Sequence, residues 1–478
     1  MHKTRVVIKP DTTPGIGLGH LYRCLSIISM IKDYFDCILY DSFPTKKIEQ
    51  IASTYCKYEK GKQLFGSFLE FLNEDDIVLI DDYNINAKDE LAIKQLKTML
   101  VLIDDNFFRK YHADLIINHC PGIKPNQYNA PKSKLLLGLD YAILRPAFLA
   151  PIKSSNINND NIFICFGGDD SKNLTSQTIK TLEKVSTQLN IKVVIGPRFA
   201  NKNKLNTEIE KSKHNIELLA SVNELEMAKL IHSSKLCIVA CSSILIEVKA
   251  MGVPCIGIKY VNNQESIYNY FNIYDKSGIY IDNDKESFSV RLFNKAIKLD
   301  KPSNELIDKE SGKRILNNFF DLRNKSKLIL KEALSEDALT YFKLVNDPQV
   351  RKNSFQTDHI TIKRHLTWFK NKILSKNSFL FLAKLNNVPC GQIRFDIDKQ
   401  SAFVDISVAK NFRGKHLSPC IIELGIKMFK EKSKKNIPII AEIKITNQKS
   451  INSFKRINFI ETKRKKINGF DSVILIHE

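Results

Sequence analysis

The chain has 478 residues, 43% hydrophobic and 26% charged, with a formal net charge of +21; that is too long for one core and enough for about three domains. No apolar run reaches the roughly 18–20 residues that span a bilayer, and the first strand begins within five residues with no signal-peptide core, so a cytoplasmic protein without a membrane partner is expected. The excess of 73 basic over 52 acidic residues raises nucleic-acid binding, but the lysines are evenly spread, "KEKSKK" and "KRKK" fall at a helix end and a hairpin, and the balance suits phosphorylated small molecules instead.

From Arg5 to about Ile281, short β-branched runs alternate with helical patterns: "RVVIK", "CILYD", "DIVLIDD", "MLVLIDD", "DLIIN", "NIFICFGG", "KVVIG", "LCIVA", "CIGIKY" and "GIYID". Continuous apolar strands of this kind belong to parallel sheets covered on both faces. The alternation predicts an α/β, doubly wound architecture. Pro146, Pro151 and an Asn/Ser run interrupt it in "PAFLAPIKSSNINNDN", and a second series starts at Asn161. We therefore expect two Rossmann-like halves, residues 1–150 and 151–285, with a ligand cleft between them. A helical connector follows over 286–325. From 326 to 478 the pattern becomes α+β: a strand and helices, an antiparallel meander through "FLFLAKLNN", "CGQIRFDID" and "SAFVDISVAK", then a helix and a further strand. The ten cysteines form no C-x-x-C pair and read as reduced core thiols, with no metal cluster.

The first chemistry-bearing stretch is "DTTPGIGLGHLYRCLSI", Asp11 to Ile27. A dinucleotide loop, G-x-G-x-x-G, framed from Gly15 passes Gly17 and meets His20 where its third glycine belongs. With Asp41 as a ribose acid, NAD binding is a rival on pattern alone. The third glycine, however, serves close helix–strand packing, which a histidine cannot do. An imidazole on the first turn of a helix facing a cleft can act as a general base near neutral pH.

The second stretch, "NIFICFGGDDSKNLTSQTI", places Gly167 and Gly168 after a strand and before a helix starting near Asn173 to Thr175. Thr175 or Ser176 is a candidate cap, and the glycines bring backbone amides near an anion. In the third, "LCIVACSSILIEVKAMGVPCIGIKYVNNQ", Ser242 and Ser243 sit at a helix N-terminus suited to a diphosphate. Glu247 lies one turn up on roughly the same side, where a carboxylate can take both ribose hydroxyls. The next strand leads to Asn262, Asn263 and Gln264.

Six ordered pieces, G-I-G-L-G-H-L-Y-R-C-L, "LIDDY", "LGLDYAILRPAF", "FGGDDSKNLT", the helix into "SSILIE…GVP", and "NNQ", resemble the UDP-sugar hydrolase of pseudaminic acid biosynthesis over residues 4–285. That family has a glycosyltransferase-B-like fold and releases UDP from UDP-2,4-diacetamido-2,4,6-trideoxy-β-L-altrose. The resemblance implies catalytic roles for His20, Tyr83 and Asn263. It implies UDP-sugar contacts for Gly17, Gly19, Arg23, Gly167, Gly168, Ser242, Ser243, Glu247 and Gln264. Lys9 stands where an arginine is expected, and Cys241 in a turn that is usually glycine-rich. The implied reaction is direct displacement: His20 deprotonates a water that attacks the anomeric carbon, while backbone amides stabilise the departing UDP. No metal is expected.

The stretch "AFVDISVAKNFRGKHLSPCIIELGI" resembles the GNAT acetyltransferases. The resemblance implies that Arg413, Gly414 and Lys415 lie in a loop presenting amides to the acetyl-CoA pyrophosphate, and that Ser407 and Val408 hold the pantetheine. Asn447, Ser450 and Phe459 match a second family segment, "NQKSINSFKRINF", which makes Asn447 a further acetyl-CoA-binding candidate. His416 and Ser418 depart from usual glycines, Asn458 from a glycine, and Phe454 from the tyrosine that often protonates the thiolate. Arg351, Asn353 and Ser354 are acceptor-side candidates.

The pairing implies consecutive steps on one sugar: acetyl-CoA-dependent acetylation of the 4-amino group of UDP-4-amino-4,6-dideoxy-N-acetyl-β-L-altrosamine, then hydrolysis. The partners expected are the UDP-amino sugar and acetyl-CoA, with other pathway enzymes as candidates and no nucleic acid. The competing readings are a UDP-sugar glycosyltransferase with an accessory acyltransferase, the same two steps on an epimeric sugar, and a non-catalytic nucleotide-sugar sensor.

Overall fold

The computed structural model describes residues 3–14, 16, 18–107, 109–149, 160–167, 170–196, 199–200, 202–220, 222–301 and 306–478. The chain divides into two compact units, Met1–Leu316 and Asn317–Glu478.

In the first unit, strands β1 (Arg5–Pro10), β2 (Asp36–Asp41), β3 (Lys57–Lys60), β4 (Ile77–Asp81), β5 (Met99–Ile103), β6 (Leu115–Asn118) and β7 (Lys134–Leu137) form one sheet, ordered β3-β2-β1-β4-β5-β6-β7. Every pairing in it is parallel. A second, wholly parallel sheet contains β8 (Asn161–Cys165), β9 (Asn190–Ile195), β10 (Asn215–Ala220), β11 (Ser234–Ala240), β12 (Cys255–Lys259) and β13 (Gly278–Asp282), ordered β10-β9-β8-β11-β12-β13.

The order reverses between β1 and β4 in one sheet and between β8 and β11 in the other. Ligands of doubly wound sheets bind at the carboxyl ends of the strands at such switch points. The predicted α/β architecture is present. Three edge strands, β3, β7 and β10, are absent from the strands expected from the sequence. The patterns "KYEK" and "NIELLA" are mostly exposed or half-buried, because an edge strand needs no continuous apolar run.

The first unit's second core also takes in residues before β8: Ala142, Leu144 and Phe148 are buried with the strands of the second sheet. The segment after β7 therefore packs with the second half. In the connector, Val290–Ala296 and Ser311–Lys325 are helical. The second helix crosses the division between units, and its later residues bind the second unit: Asn324 Nδ2 donates to the carbonyls of Lys415 and His416.

The second unit is one mixed sheet of β14 (Leu328–Glu332), β15 (Ser378–Leu385), β16 (Val388–Asp398), β17 (Ser401–Val408), β18 (Ile439–Lys444), β19 (Ile460–Ile467) and β20 (Phe470–His477), ordered β14-β15-β16-β17-β18-β20-β19. The expected meander is β15-β16-β17, turned at Asn386 and Asn387, whose positive φ values of 49° and 62° suit a tight hairpin turn. Only β17 and β18 pair in parallel, at Ala402↔Ile439 and Phe403↔Ile440. Beyond that the two strands part, leaving a wedge between Val404–Val408 and Ala441–Lys444. Gly391 permits the close β16–β17 approach: a Cβ there would lie 2.8 Å from the Ser407 carbonyl oxygen. This α+β arrangement with one splayed parallel pair is a GNAT-like acetyltransferase fold. Among the described residues, no helix is long and apolar enough to cross a membrane.

Candidate functional site

The β1–helix junction sits at the first switch point. The helix Gly19–Ile31 has no acid in its first turn and no side-chain cap, so its positive end is open to an anion. Gly19 is the first residue of that helix. A Cβ there would meet nothing within 4 Å among the described residues, which fits a ligand approaching the backbone. Gly15, Gly17 and Gly168 lie outside the described residues.

His20 is buried, and its Nδ1 lies 2.7 Å from Asp81 Oδ1 at the carboxyl end of β4. Asp81 is fully buried and takes Arg23 through Nε at 2.8 Å and Nη2 at 2.7 Å. Arg23 Nη2 is also 2.9 Å from His20 Nδ1. With its proton on Nδ1 the imidazole donates to Asp81 and leaves the Nε2 lone pair available; with Nδ1 unprotonated it accepts from Arg23 Nη2 instead.

Arg23 Nη1 reaches Asp105 at 3.0 Å, and the Tyr83 hydroxyl donates to Asp105 at 2.5 Å. The Tyr83 ring stands edge-on to His20, centroids 4.7 Å apart. Burial opposes the charge on Arg23, but Asp81 and Asp105 hold its pKa well above the usual guanidinium value. Burial would also raise Asp105; Arg23 and the Tyr83 hydroxyl keep it below the usual carboxylate range. Burial, then Asp105, push the Tyr83 phenol up. His119 is buried beside this cluster, and burial and Arg23 lower it to about 4. Its Nδ1 accepts from the Ile143 amide at 3.2 Å. The structure thus brings His20, Arg23 and Tyr83 together and adds Asp81, Asp105 and His119.

Asp41 is fully buried, engaged by the hydroxyls of Thr12 at 2.5 Å and Tyr58 at 2.7 Å. It is not presented to a ribose.

At the second switch point Gly167 has φ +87°, and a Cβ there would meet nothing within 4 Å among the described residues. The cap of the following helix, Leu174–Leu182, differs from expectation. Neither Thr175 nor Ser176 caps it; the buried Asp170 does, accepting from the Leu174 and Thr175 amides at 2.7 and 2.9 Å. That carboxylate already occupies the helix end, so these amides are not open to a phosphate. The helix Ser243–Ala250 contrasts with it: Ser242 is its N-cap without a side-chain bond, and its first turn has no acid. Ser242 and Ser243 therefore border the open anion end of the second half.

Glu247 pairs with Arg145, Nε–Oε1 and Nη2–Oε2 both at 2.8 Å. Gln264 is buried, its Oε1 accepting from the Tyr260 amide at 2.9 Å, so it closes its own turn. Asn263 is exposed in the short helix Asn262–Gln264.

In the second unit, hydrogen-bonded pairs alternate along an antiparallel ladder. The Ala409 amide donates to the Cys390 carbonyl at 2.9 Å, so Val408, opposite Gly391, is at a non-bonded position. Its N–H and carbonyl face away from β16, toward the wedge. The carbonyl is taken by Arg413 Nε at 3.0 Å, and Arg413 Nη2 pairs with Asp347 at 2.5 Å. The Arg413 side chain therefore braces the loop internally. Ser407 is buried, its hydroxyl receiving Gln392 Nε2 at 3.1 Å.

Gly414 has φ +75°, and a Cβ there would meet nothing within 4 Å among the described residues. His416, where the family has glycine, holds φ +58° and stacks on Phe320, centroids 4.2 Å apart. The helix Leu417–Ser433 starts without a side-chain cap or an acid, an open anion end like the other two. The Lys415 ammonium lies over the Phe412 ring at 4.8 Å. Asn447 caps the helix Gln448–Lys455 through the Ser450 amide at 3.4 Å. Phe454 is buried edge-on to Phe459. The Arg351 guanidinium is spread over the carbonyls of Val345 and Gln356 and the Ser354 hydroxyl, which is a bracing role. Among the described residues, no group of three or more His, Cys, Asp or Glu could hold a metal ion.

Fold and sites together define two Rossmann-like sheets with open helix ends at their switch points, joined to a GNAT-like acetyltransferase fold. No family model matches the chain. Over 268 residues it is 28% identical to the UDP-2,4-diacetamido-2,4,6-trideoxy-β-L-altropyranose hydrolase of Campylobacter jejuni, covering 55% of this chain and 94% of that protein. An uncharacterized protein of Methanocaldococcus jannaschii is 23% identical over 97% of this chain and 98% of its own, so that match takes in both units. Among solved structures, the spermidine N-acetyltransferase of Vibrio cholerae with CoA and spermine is 16% identical, covering 32% of this chain and 95% of that one, with a TM-score of 0.30.

Proposed function

We propose that the chain carries two consecutive steps on a UDP-linked amino sugar of pseudaminic acid biosynthesis, in the cytoplasm: N-acetylation of the 4-amino group in the second unit and hydrolytic release of UDP in the first. The observation that carries the hydrolase reading is the His20–Asp81 pair at the β1/β4 switch point, beside an open helix end. Asp81 holds the Nδ1–H tautomer, so Nε2 takes a proton from water as the water oxygen bonds to the anomeric carbon. The bond from that carbon to the UDP oxygen breaks, and its electron pair leaves with UDP. The open ends at Gly19 and at Ser242–Ser243 stabilise that charge. Arg23 and Tyr83, locked through Asp105, fix the imidazole. Asn263, Gly167 and Glu247, together with Gly17 and Gly168 outside the described residues, complete the proposed UDP-sugar site, while the Gln264 side chain supports the turn that carries Asn263.

Acetyl-CoA would supply an acetyl thioester. The residues fit it: the Val408 N–H faces the wedge and would polarise the thioester carbonyl, and Gly414, Lys415 and the Leu417 helix end would face the pyrophosphate. Ser407, Arg413 and Asn447 shape the surrounding strand and loops. The only tyrosine after residue 316 is Tyr341, whose hydroxyl is committed to the Phe381 carbonyl at 2.7 Å. In this reading the neutral 4-amine attacks the thioester carbonyl, the C–S bond breaks and CoA leaves as the thiolate, which takes up the proton that the new N-acyl ammonium loses, without a tyrosine acid.

The test is to incubate the chain with the UDP-4-amino sugar, with and without acetyl-CoA, and follow products by mass spectrometry. UDP release only after acetylation is expected; formation of neither product overturns the proposal.

A further inference from the structure

The sequence leaves Arg145 without a role, although it sits in "LGLDYAILRPAF". It lies between the short helices Leu139–Tyr141 and Pro146–Leu149. Its guanidinium rests over the Phe148 ring at 4.9 Å and reaches across 102 positions of sequence to clasp Glu247 with two parallel bonds of 2.8 Å. Both side chains are largely buried, 16% and 10% exposed. A planar fork on a carboxylate fixes its orientation as well as its charge.

Glu247 stands one helical turn beyond Ser243, on the helix whose N-terminus is open. A carboxylate has about four lone-pair sites. The Arg145 fork uses one on each oxygen and leaves one on each. A carboxylate that is fixed and still able to accept is suited to hydroxyl groups, and a nucleotide whose diphosphate meets Ser242–Ser243 has hydroxyls on its ribose. We propose that Arg145 is a positioning residue that holds Glu247 as the acceptor for the ribose hydroxyls of the nucleotide, and so makes the site select ribonucleotides over 2′-deoxyribonucleotides. This rests on the reading that the first unit binds a UDP-sugar.

The experiment is calorimetric titration of the full chain with UDP and with 2′-deoxy-UDP, for the wild type, Arg145→Lys and Arg145→Met, with thermal melting of each. The wild type should prefer UDP about tenfold or more, the equivalent of one charge-assisted hydrogen bond. Arg145→Met should bind UDP more weakly and bring the preference close to one. Arg145→Lys keeps the charge without the fork; it should stay folded and lose at least about threefold of the preference. Should Arg145→Met fail to fold, Arg145→Lys decides. A folded variant with unchanged preference, or tighter UDP binding by Arg145→Met, overturns the role of Arg145. So does a wild type that binds UDP without preferring it. A wild type that binds no UDP removes the UDP-sugar reading, and this inference with it.

Discussion

Replacing Asp81 by asparagine probes the pair that makes His20 a base. The carboxylate is fully buried, lies 2.7 Å from His20 Nδ1 and accepts from Arg23 at 2.7 and 2.8 Å; the proposed base carries its proton on Nδ1 and donates it to this carboxylate. An asparagine of the same size can turn its NH2 toward Nδ1. The imidazole then carries its proton on Nε2 and cannot take one from water. The wrong tautomer costs on the order of 10⁴ in kcat in a comparable histidine–carboxylate pair, or about 5.5 kcal/mol of barrier. The fold is affected less, because Arg23 keeps Asp105 at 3.0 Å. The stability loss is therefore about 1.5–3 kcal/mol, that of one charged hydrogen bond, rather than that of an orphaned buried charge. The assay is UDP release at saturating UDP-2,4-diacetamido sugar, with a thermal melt of the same sample. A folded Asp81→Asn enzyme with kcat within tenfold of wild type, or a loss confined to KM, would refute the reasoning.

His20→Ala should abolish UDP release yet leave acetyl transfer within about twofold, as read from CoA thiol formation, since the two chemistries use separate residues. Asp347→Asn should leave the melting temperature within a few degrees and raise the KM for acetyl-CoA about fivefold, because Arg413 loses its ionic brace on the loop; initial rates against acetyl-CoA concentration check this. His119 adds a pH dependence. Its pKa is about 4 folded against 6.5 unperturbed, from burial and from Arg23. Between those values the unfolded chain binds a proton that the native state does not, so stability falls as pH drops from about 6.5 to about 4 and is unaffected by this group above 6.5. The full effect is about 3 kcal/mol, and denaturant melts across that range should show a shallower slope in His119→Asn.

Much of the fold is legible because interior parallel strands need unbroken apolar runs, and "RVVIK" or "LCIVA" supply them. The edge strands "KYEK" and "NIELLA" face water on one side and look like loop. His20 is visible because it interrupts a glycine pattern. Its partners are not, because Asp81 and Asp105 lie 61 and 85 residues further along the chain and converge only when β1, β4 and β5 become neighbours. The signal available for them is the repeated "LIDD" at the ends of both β4 and β5. The Arg145–Glu247 contact is longer still, and its arginine falls in a stretch with no periodic pattern. Local reasoning also favoured hydroxyl caps at Thr175 and Ser176, where an aspartate a few residues earlier reaches the same amides with a stronger bond.

The most direct test of the central claim, that His20 and Asp81 activate water at the anomeric carbon, is hydrolysis in ¹⁸O-labelled water with mass analysis of both products. The label should appear in the released sugar, with UDP unlabelled. Label in the UDP phosphate would mean attack at phosphorus, and would contradict it.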